Sequence, residues 1–170
     1  MIVSVELLDA KTKSAARARY GVRPPSDERT LAHSDLLLFE ARSPDSLPHR
    51  LEDALALATT GERVSGNRIG LFWEIYGVRK EGESFAVTIT IDRIREGLVR
   101  RAAERLHLAS PFSPVQVQWK EVPDAVDGIV SRAVALDISM LSNGRYEISV
   151  GVGRPGDAPV VAKRQIVVDR

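Results

Sequence analysis

The three glycines of GVGRPG, residues 151 to 156, stand at the G-x-G-x-x-G spacing of loops that cradle the pyrophosphate of a dinucleotide. That chemistry needs a strand before the motif and a helix after it, whose N-terminal amides hold the phosphate, with an acidic residue ~20 positions on for the ribose. The segment that follows, DAPVVAKRQIVVDR, has a strand pattern with Pro159 at its start and no acidic residue at the ribose position. Arg154-Pro155-Gly156-Asp157 has the composition of a turn between antiparallel strands, Pro suiting an early turn position and Gly a positive φ. A hairpin is therefore expected here, and no cofactor.

Metal or triad chemistry would rest on His33, His49 and His107, the only histidines. None belongs to an H-x-H or H-x-x-x-H pair, and no G-x-S-x-G elbow presents a nucleophile, so no catalytic residue and no metal ligand is assigned. Glu74 stands beside Trp73 and Tyr76, a combination also found on sugar-binding faces, although glycoside hydrolysis would need a second carboxylate at a set separation. The plainer reading places Glu74 at a sheet rim or against an arginine. A ligand-binding face would use Trp73, Tyr76 or Trp119 as an exposed aromatic platform, and burial of all three would remove it. Arg93, Arg95, Arg100, Arg101 and Arg105 crowd one stretch, but Glu96 and Glu104 interleave and no aromatic accompanies them for base stacking, which argues against nucleic acid.

The elements that must carry these residues follow from composition and periodicity. The chain has 170 residues, 44% hydrophobic and 28% charged, with a net charge of +1: enough for one real core and unlike a disordered or membrane chain. There is no cysteine, hence no disulfide, thiolate site or cysteine nucleophile. The redox compartment stays open. No run approaches the ~18 apolar residues of a membrane span, and the first residues read as a strand rather than a signal peptide.

Alternation with period two dominates. Phe85, Val87, Ile89 and Ile91 share one face of SFAVTITID. Val115, Val117 and Trp119 form the inward set of VQVQWK, as do Val134, Leu136, Ile138 and Met140 in AVALDISM and Tyr146, Ile148, Val150 and Val152 in RYEISVGV. RIGLFWEIYGV is apolar on both faces, so it is expected to be a central strand covered on both sides. IVSVELL, AARARYGV, SDLLLFEA and VVAKRQIVV bring the total to about nine strands. Two helical patterns interrupt them. SLPHRLEDALALA places Leu47, Leu51, Leu55 and Ala58 at helical spacing behind a Ser46 cap, and REGLVRRAAERLHL places Leu98, Ala102 and Leu106 on one stripe.

PPSDER, residues 24 to 29, breaks both periodicities, so the expected division is a hairpin over 1–23, a linker over 24–30 and one domain over 31–170. Laid over the C-terminal strands, Val3-Ser4-Val5 matches Ile148-Ser149-Val150 and Ala16-Arg17 matches Ala162-Lys163. This suggests that residues 1–23 are the last hairpin of a preceding, similar domain; the alternative is that they add strands to the single sandwich.

Gly144 and Tyr146 in LSNGRYEISV have the spacing of a tyrosine corner, in which a tyrosine hydroxyl bonds backbone upstream. Asn143-Gly144 also suits a type I′ turn that would make the flanking strands neighbours, and the corner is preferred. The expected fold is thus all-β, an immunoglobulin- or fibronectin-like antiparallel sandwich with one or two short helices in its connections. SDLLLFE, RIGLFWEIYGV and GRYEISVGV together resemble the C-terminal β-sandwich region of bacterial proteins carrying the GWxTD motif, although the motif itself is absent. The resemblance implies an extracytoplasmic (periplasmic or secreted) multidomain protein and an accessory module without a catalytic site. The expected role is a non-catalytic interaction or spacer module whose partner is another protein or a neighbouring domain. The alternative is a module for carbohydrate or another small ligand.

Overall fold

A computed structural model of the protein describes residues 2–21, 30–41, 43, 46–59, 61–78, 82–94, 115–122 and 128–170. Among these described residues eleven strands and one helix run in the order β1 (Ile2–Asp9), β2 (Ser14–Gly21), β3 (Ala32–His33), β4 (Leu37–Phe39), α1 (Leu51–Leu57), β5 (Arg63–Val64), β6 (Arg68–Tyr76), β7 (Phe85–Arg93), β8 (Val115–Glu121), β9 (Val130–Asp137), β10 (Gly144–Gly153) and β11 (Val160–Val168). By contacts the chain forms two units, Met1–Thr30 and Leu31–Arg170.

The first unit is the β1–β2 hairpin. Its turn contains no glycine: Asp9 Oδ1 accepts from the Lys11 amide at 2.9 Å and the Thr12 amide at 3.4 Å, and Lys13 takes the left-handed corner at φ 53°. Glu6 stands directly opposite Arg17 and pairs with it at 2.7 Å. Val5 and Leu7 lie on the other face and stay exposed, Leu7 at 71%. The overlay on the C-terminal strands keeps the faces but not the pairs, since Val5 opposes Ala18 whereas Val150 opposes Ala162.

The second unit is an all-β sandwich. One sheet has the order β5-β11-β10-β7-β8, antiparallel except for β5 beside β11. In the other, β6 pairs β3 and β4 on one side and β9 on the opposite side. The alternation dictates how they pack. Ile69, Leu71, Trp73 and Ile75 of β6 face Phe85, Val87, Ile89 and Ile91 of β7 and Tyr146, Ile148, Val150 and Val152 of β10 in one buried cluster. Each of these side chains is worth about 1.5–3 kcal/mol removed from water, so this layer outweighs any single polar tie.

The second apolar face of β6 has its own cover. Phe72 packs with Phe39, Ala41 and Ala54 under α1, against Leu47 and Leu51. Phe39 opposes Gly70 in the β4–β6 ladder, and its ring crosses the space that a Cβ on Gly70 would need. Only glycine admits the ring there.

Three expectations change at this level. The helix starts at Leu51 with Arg50 as N-cap and no side-chain capping bond; Ser46 Oγ instead donates to the Ser43 carbonyl at 3.2 Å. Its buried residue is Ala54, and Leu55 is exposed, because a helix of seven residues shows the sheet one narrow stripe. Met140 is 91% exposed: β9 ends at Asp137, and Ile138 N donates to Asn67 O before the chain turns. The linker at 24–29 and the second helical stretch, with Leu98, Ala102, Leu106, His107 and Arg95 to Arg105, lie outside the described residues.

Candidate functional site

GVGRPG closes the β10–β11 hairpin. Val152 opposes Val160, the Asp157 amide donates to the Arg154 carbonyl at 3.1 Å, and Gly156 takes φ 88°. No helix follows it. The hairpin at Asn143-Gly144 is overturned by pairing, since β9 belongs with β6 and β10 with β7 and β11. The Tyr146 hydroxyl donates to the Ser142 carbonyl at 2.9 Å, which is the tyrosine-corner arrangement.

The three aromatics do not share a platform. Trp73 is fully buried between the sheets, and its Nε1 has no hydrogen-bond partner among the described residues. Tyr76 lies half-buried on the opposite face of β6, and Trp119 half-buried on β8 in the other sheet. Strand parity sends Trp73 inward and Tyr76 outward, and burial takes Trp73 away from any exposed platform while Tyr76 and Trp119 stay half-buried.

Glu74 is buried on that outward face, and no arginine pairs with it among the described residues. Oε2 accepts from the Tyr76 hydroxyl at 2.6 Å and Oε1 from Ser131 Oγ at 3.4 Å. Burial first, then the bond to Glu74 and its charge, push the Tyr76 phenol up to about 12. His49 is exposed ahead of α1, and His33 bridges backbone carbonyls. Among the described residues no three His, Asp or Glu side chains converge as a metal site.

What the fold does assemble is a cleft on the β8–β9 side of the sandwich. Its volume is about 460 Å3, and Ile89, Ile91, Val115, Val117, Trp119, Val134, Ala135, Leu136 and Asp137 line it. The cause is a mismatch of sheet widths. β8 extends its sheet beyond β7 with Val115, Val117 and Trp119 opposite Ile91, Ile89 and Val87, hence on the inward face. Among the described residues the facing sheet reaches no further than β9, and Val115 is 40% and Val117 44% exposed although both point inward.

Two strand edges without a partner among the described residues border this cleft. The bond from Ile138 N to Asn67 O fixes which backbone groups of β9 point at β6, so Ser131, Ala133, Ala135 and Asp137 point theirs to the open side. The Ser131 carbonyl is already taken by Arg132 Nη1 at 2.8 Å, while Arg132 Nε reaches Glu121 of β8 at 2.9 Å and Trp119 Nε1 donates to the same carboxylate at 3.2 Å. That clasp ties the two edges together at one end. At the other end Asp137 keeps its charge: the Ser139 hydroxyl and amide, with Arg68 and Arg170 nearby, hold its carboxyl below the usual range.

Among the described lining residues of the cleft no nucleophile stands within reach of a base. Sequence reasoning assigned Val115, Val117 and Trp119 to the inward face but not to an open cleft, because alternation reports a residue's face and not whether another strand covers it. Comparison of the chain with protein-family models, with curated proteins and with solved structures gives no match.

Proposed function

We propose that this chain is a non-catalytic interaction module on an immunoglobulin-like sandwich, and that it receives a protein partner as an extended strand along β9. One observation carries the reading: among the described residues no strand covers the inward face of β8 or pairs with the outer edge of β9 beside it. A strand added at Ala133 and Ala135 would satisfy their outward amides and carbonyls, and its alternate apolar side chains would cover Val115 and Val117. The pairing order, the parallel β5–β11 contact and the Tyr146 corner support the immunoglobulin-like assignment. The resemblance to GWxTD-motif proteins supports an extracytoplasmic setting.

The test is amide hydrogen exchange on the full chain with a panel of extended peptides that alternate apolar and polar residues. Saturable slowing at Ala133 and Ala135 supports the proposal; saturable binding that leaves these amides unchanged, or no binding, rejects it. A second reading, a small apolar ligand seated on Trp119, is favoured by the volume and lining of the cleft. It predicts a change in Trp119 emission without slowing at the β9 edge.

A further inference from the structure

The outer edge of β9 is closed at each end by an arginine. Arg132 Nη1 donates to the Ser131 carbonyl at 2.8 Å while its Nε holds Glu121 of β8 at 2.9 Å, so the guanidinium stands on the edge where a strand paired with Ser131 would run. At 26% and 19% exposure this pair is held in place rather than swinging in solvent. Past the other end, Arg170 Nη1 donates to the Ser139 carbonyl at 2.6 Å and Nη2 to that of Ile138, and the Asp137 carboxylate accepts from the Ser139 amide at 2.8 Å. The two guanidinium groups leave one open window, Ala133 to Asp137. In it the backbone groups of Ala133, Ala135 and Asp137 point outward and meet no strand among the described residues.

The two faces of that window differ in chemistry. Val134 and Leu136 line the cleft with Val115 and Val117, and between the Arg132–Glu121 pair and Asp137 none of the described lining residues is charged. Ala133 and Ala135 lie on the opposite face, packed with Phe72. Residues directly opposite one another in paired strands share a face. Partner residues opposite Val134 and Leu136 therefore enter the cleft, where a charge would lose its water without gaining a counter-ion. Those opposite Ala133, Ala135 and Asp137 face away from it and need not be apolar. Resting on the strand-addition reading above, we propose that the partner segment is a frame of five residues, one opposite each position from Ala133 to Asp137 and apolar at its second and fourth, and that Arg132 is the stop that sets its register.

The experiment is amide hydrogen exchange on the full chain, read residue by residue by NMR, with three end-capped peptides. The first is a pentapeptide of alternating threonine and valine with valine second and fourth, the second carries lysine at both valine positions, and the third is the first lengthened by one more valine-threonine repeat. The valine pentapeptide should slow Ala133, Ala135 and Asp137, and the lysine peptide should bind about tenfold or more weakly. In the wild type the longer peptide should leave the Ser131 amide unchanged. In Arg132→Met combined with Glu121→Gln, which strands no carboxylate, it should slow Ser131 as well and bind about three- to tenfold tighter than the pentapeptide, the worth of one more hydrogen bond. Slowing of Ser131 in the wild type, no gain in the variant, or equal binding of the lysine peptide overturns the frame and leaves strand addition standing. No slowing at Ala133 and Ala135 by any of the peptides rejects strand addition and the frame with it. Should the variant not fold, the wild-type Ser131 amide and the lysine peptide decide.

Discussion

Arg154, inside the GVGRPG turn, donates from Nε to Glu83 Oε1 at 2.5 Å and from Nη2 to the Gly77 carbonyl at 2.8 Å, with its guanidinium 5.9 Å from the centre of the Phe85 ring. Gly77 follows β6 and Glu83 precedes β7, so one planar group joins the connection between the two sheets to the far hairpin. The arginine, rather than the glycines, gives this turn its tertiary role. Both side chains are mostly buried, at 13% and 18% exposure, so the pair is hard to break without stranding a charge. Arg154→Ala should cost about 2–4 kcal/mol in urea unfolding. Arg154→Lys should recover only part of that, because an ammonium lacks the fork that reaches two acceptors at once. Equal stability of the Lys variant and wild type would refute the two-acceptor account.

The tyrosine corner is tested by Tyr146→Phe. The ring stays in the core while the hydroxyl that donates to Ser142 O is lost, which should cost about 1–2 kcal/mol with the fold unchanged by circular dichroism. Ser142→Ala should cost much less than this, since the acceptor is backbone.

Much of this fold was legible because alternation and burial coincide. β6, β7, β10 and β11 read correctly from apolar parity, and the two-faced pattern of RIGLFWEIYGV foretold cover on both sides of β6, the second of which α1 and its neighbours supply. β3 and β5, two residues each, carry too few side chains to show a period. The cleft was not legible for a different reason. Whether β8 is covered depends on where the opposite sheet ends, and β9 pairs with β6 across more than fifty intervening residues, a relation no local pattern encodes. Glu74 illustrates the same limit: its type suggested a sheet rim or an arginine, whereas the side chains beside it, Ser131 and Tyr76, are set by register.

Gly70 and Phe39 form a tight pair whose coupling can be measured. Gly70→Ala should destabilise by about 1–3 kcal/mol, because the ring sits where the new methyl must go. Phe39→Leu, costly alone, should relieve part of the Gly70→Ala penalty in a double-mutant cycle. Strict additivity would show that the ring moves aside freely.

The raised Tyr76 phenol predicts an alkaline signature. Folded, the proton is held to about 12; unfolded, it leaves near the ordinary phenol value of ~10. Between those values the folded state binds more protons, so this group's contribution to stability is present below about pH 10 and is lost as the pH rises toward 12. Glu74→Gln removes the charge and weakens the bond that supply two of the three causes, and should lower the phenolate absorbance midpoint. Tyr76→Phe should abolish the late transition, and a transition that survives in that variant belongs to another tyrosine.

The open side of the sandwich separates residues that share a parity but not a cover. Ile89 and Val117 oppose each other in the β7–β8 ladder and point the same way, yet Ile89 is buried and Val117 is 44% exposed. Ile89→Ala should therefore cost about 2–4 kcal/mol, whereas Val117→Lys should cost less than about 1 kcal/mol, its stem lying along the cleft with the ammonium in water. The same Val117→Lys change should abolish any peptide-induced slowing of exchange at Ala133 and Ala135, since an added strand would have to bury the charge without a partner. Large destabilisation by Val117→Lys would mean that β8 is covered, and the interaction surface would have to be sought elsewhere.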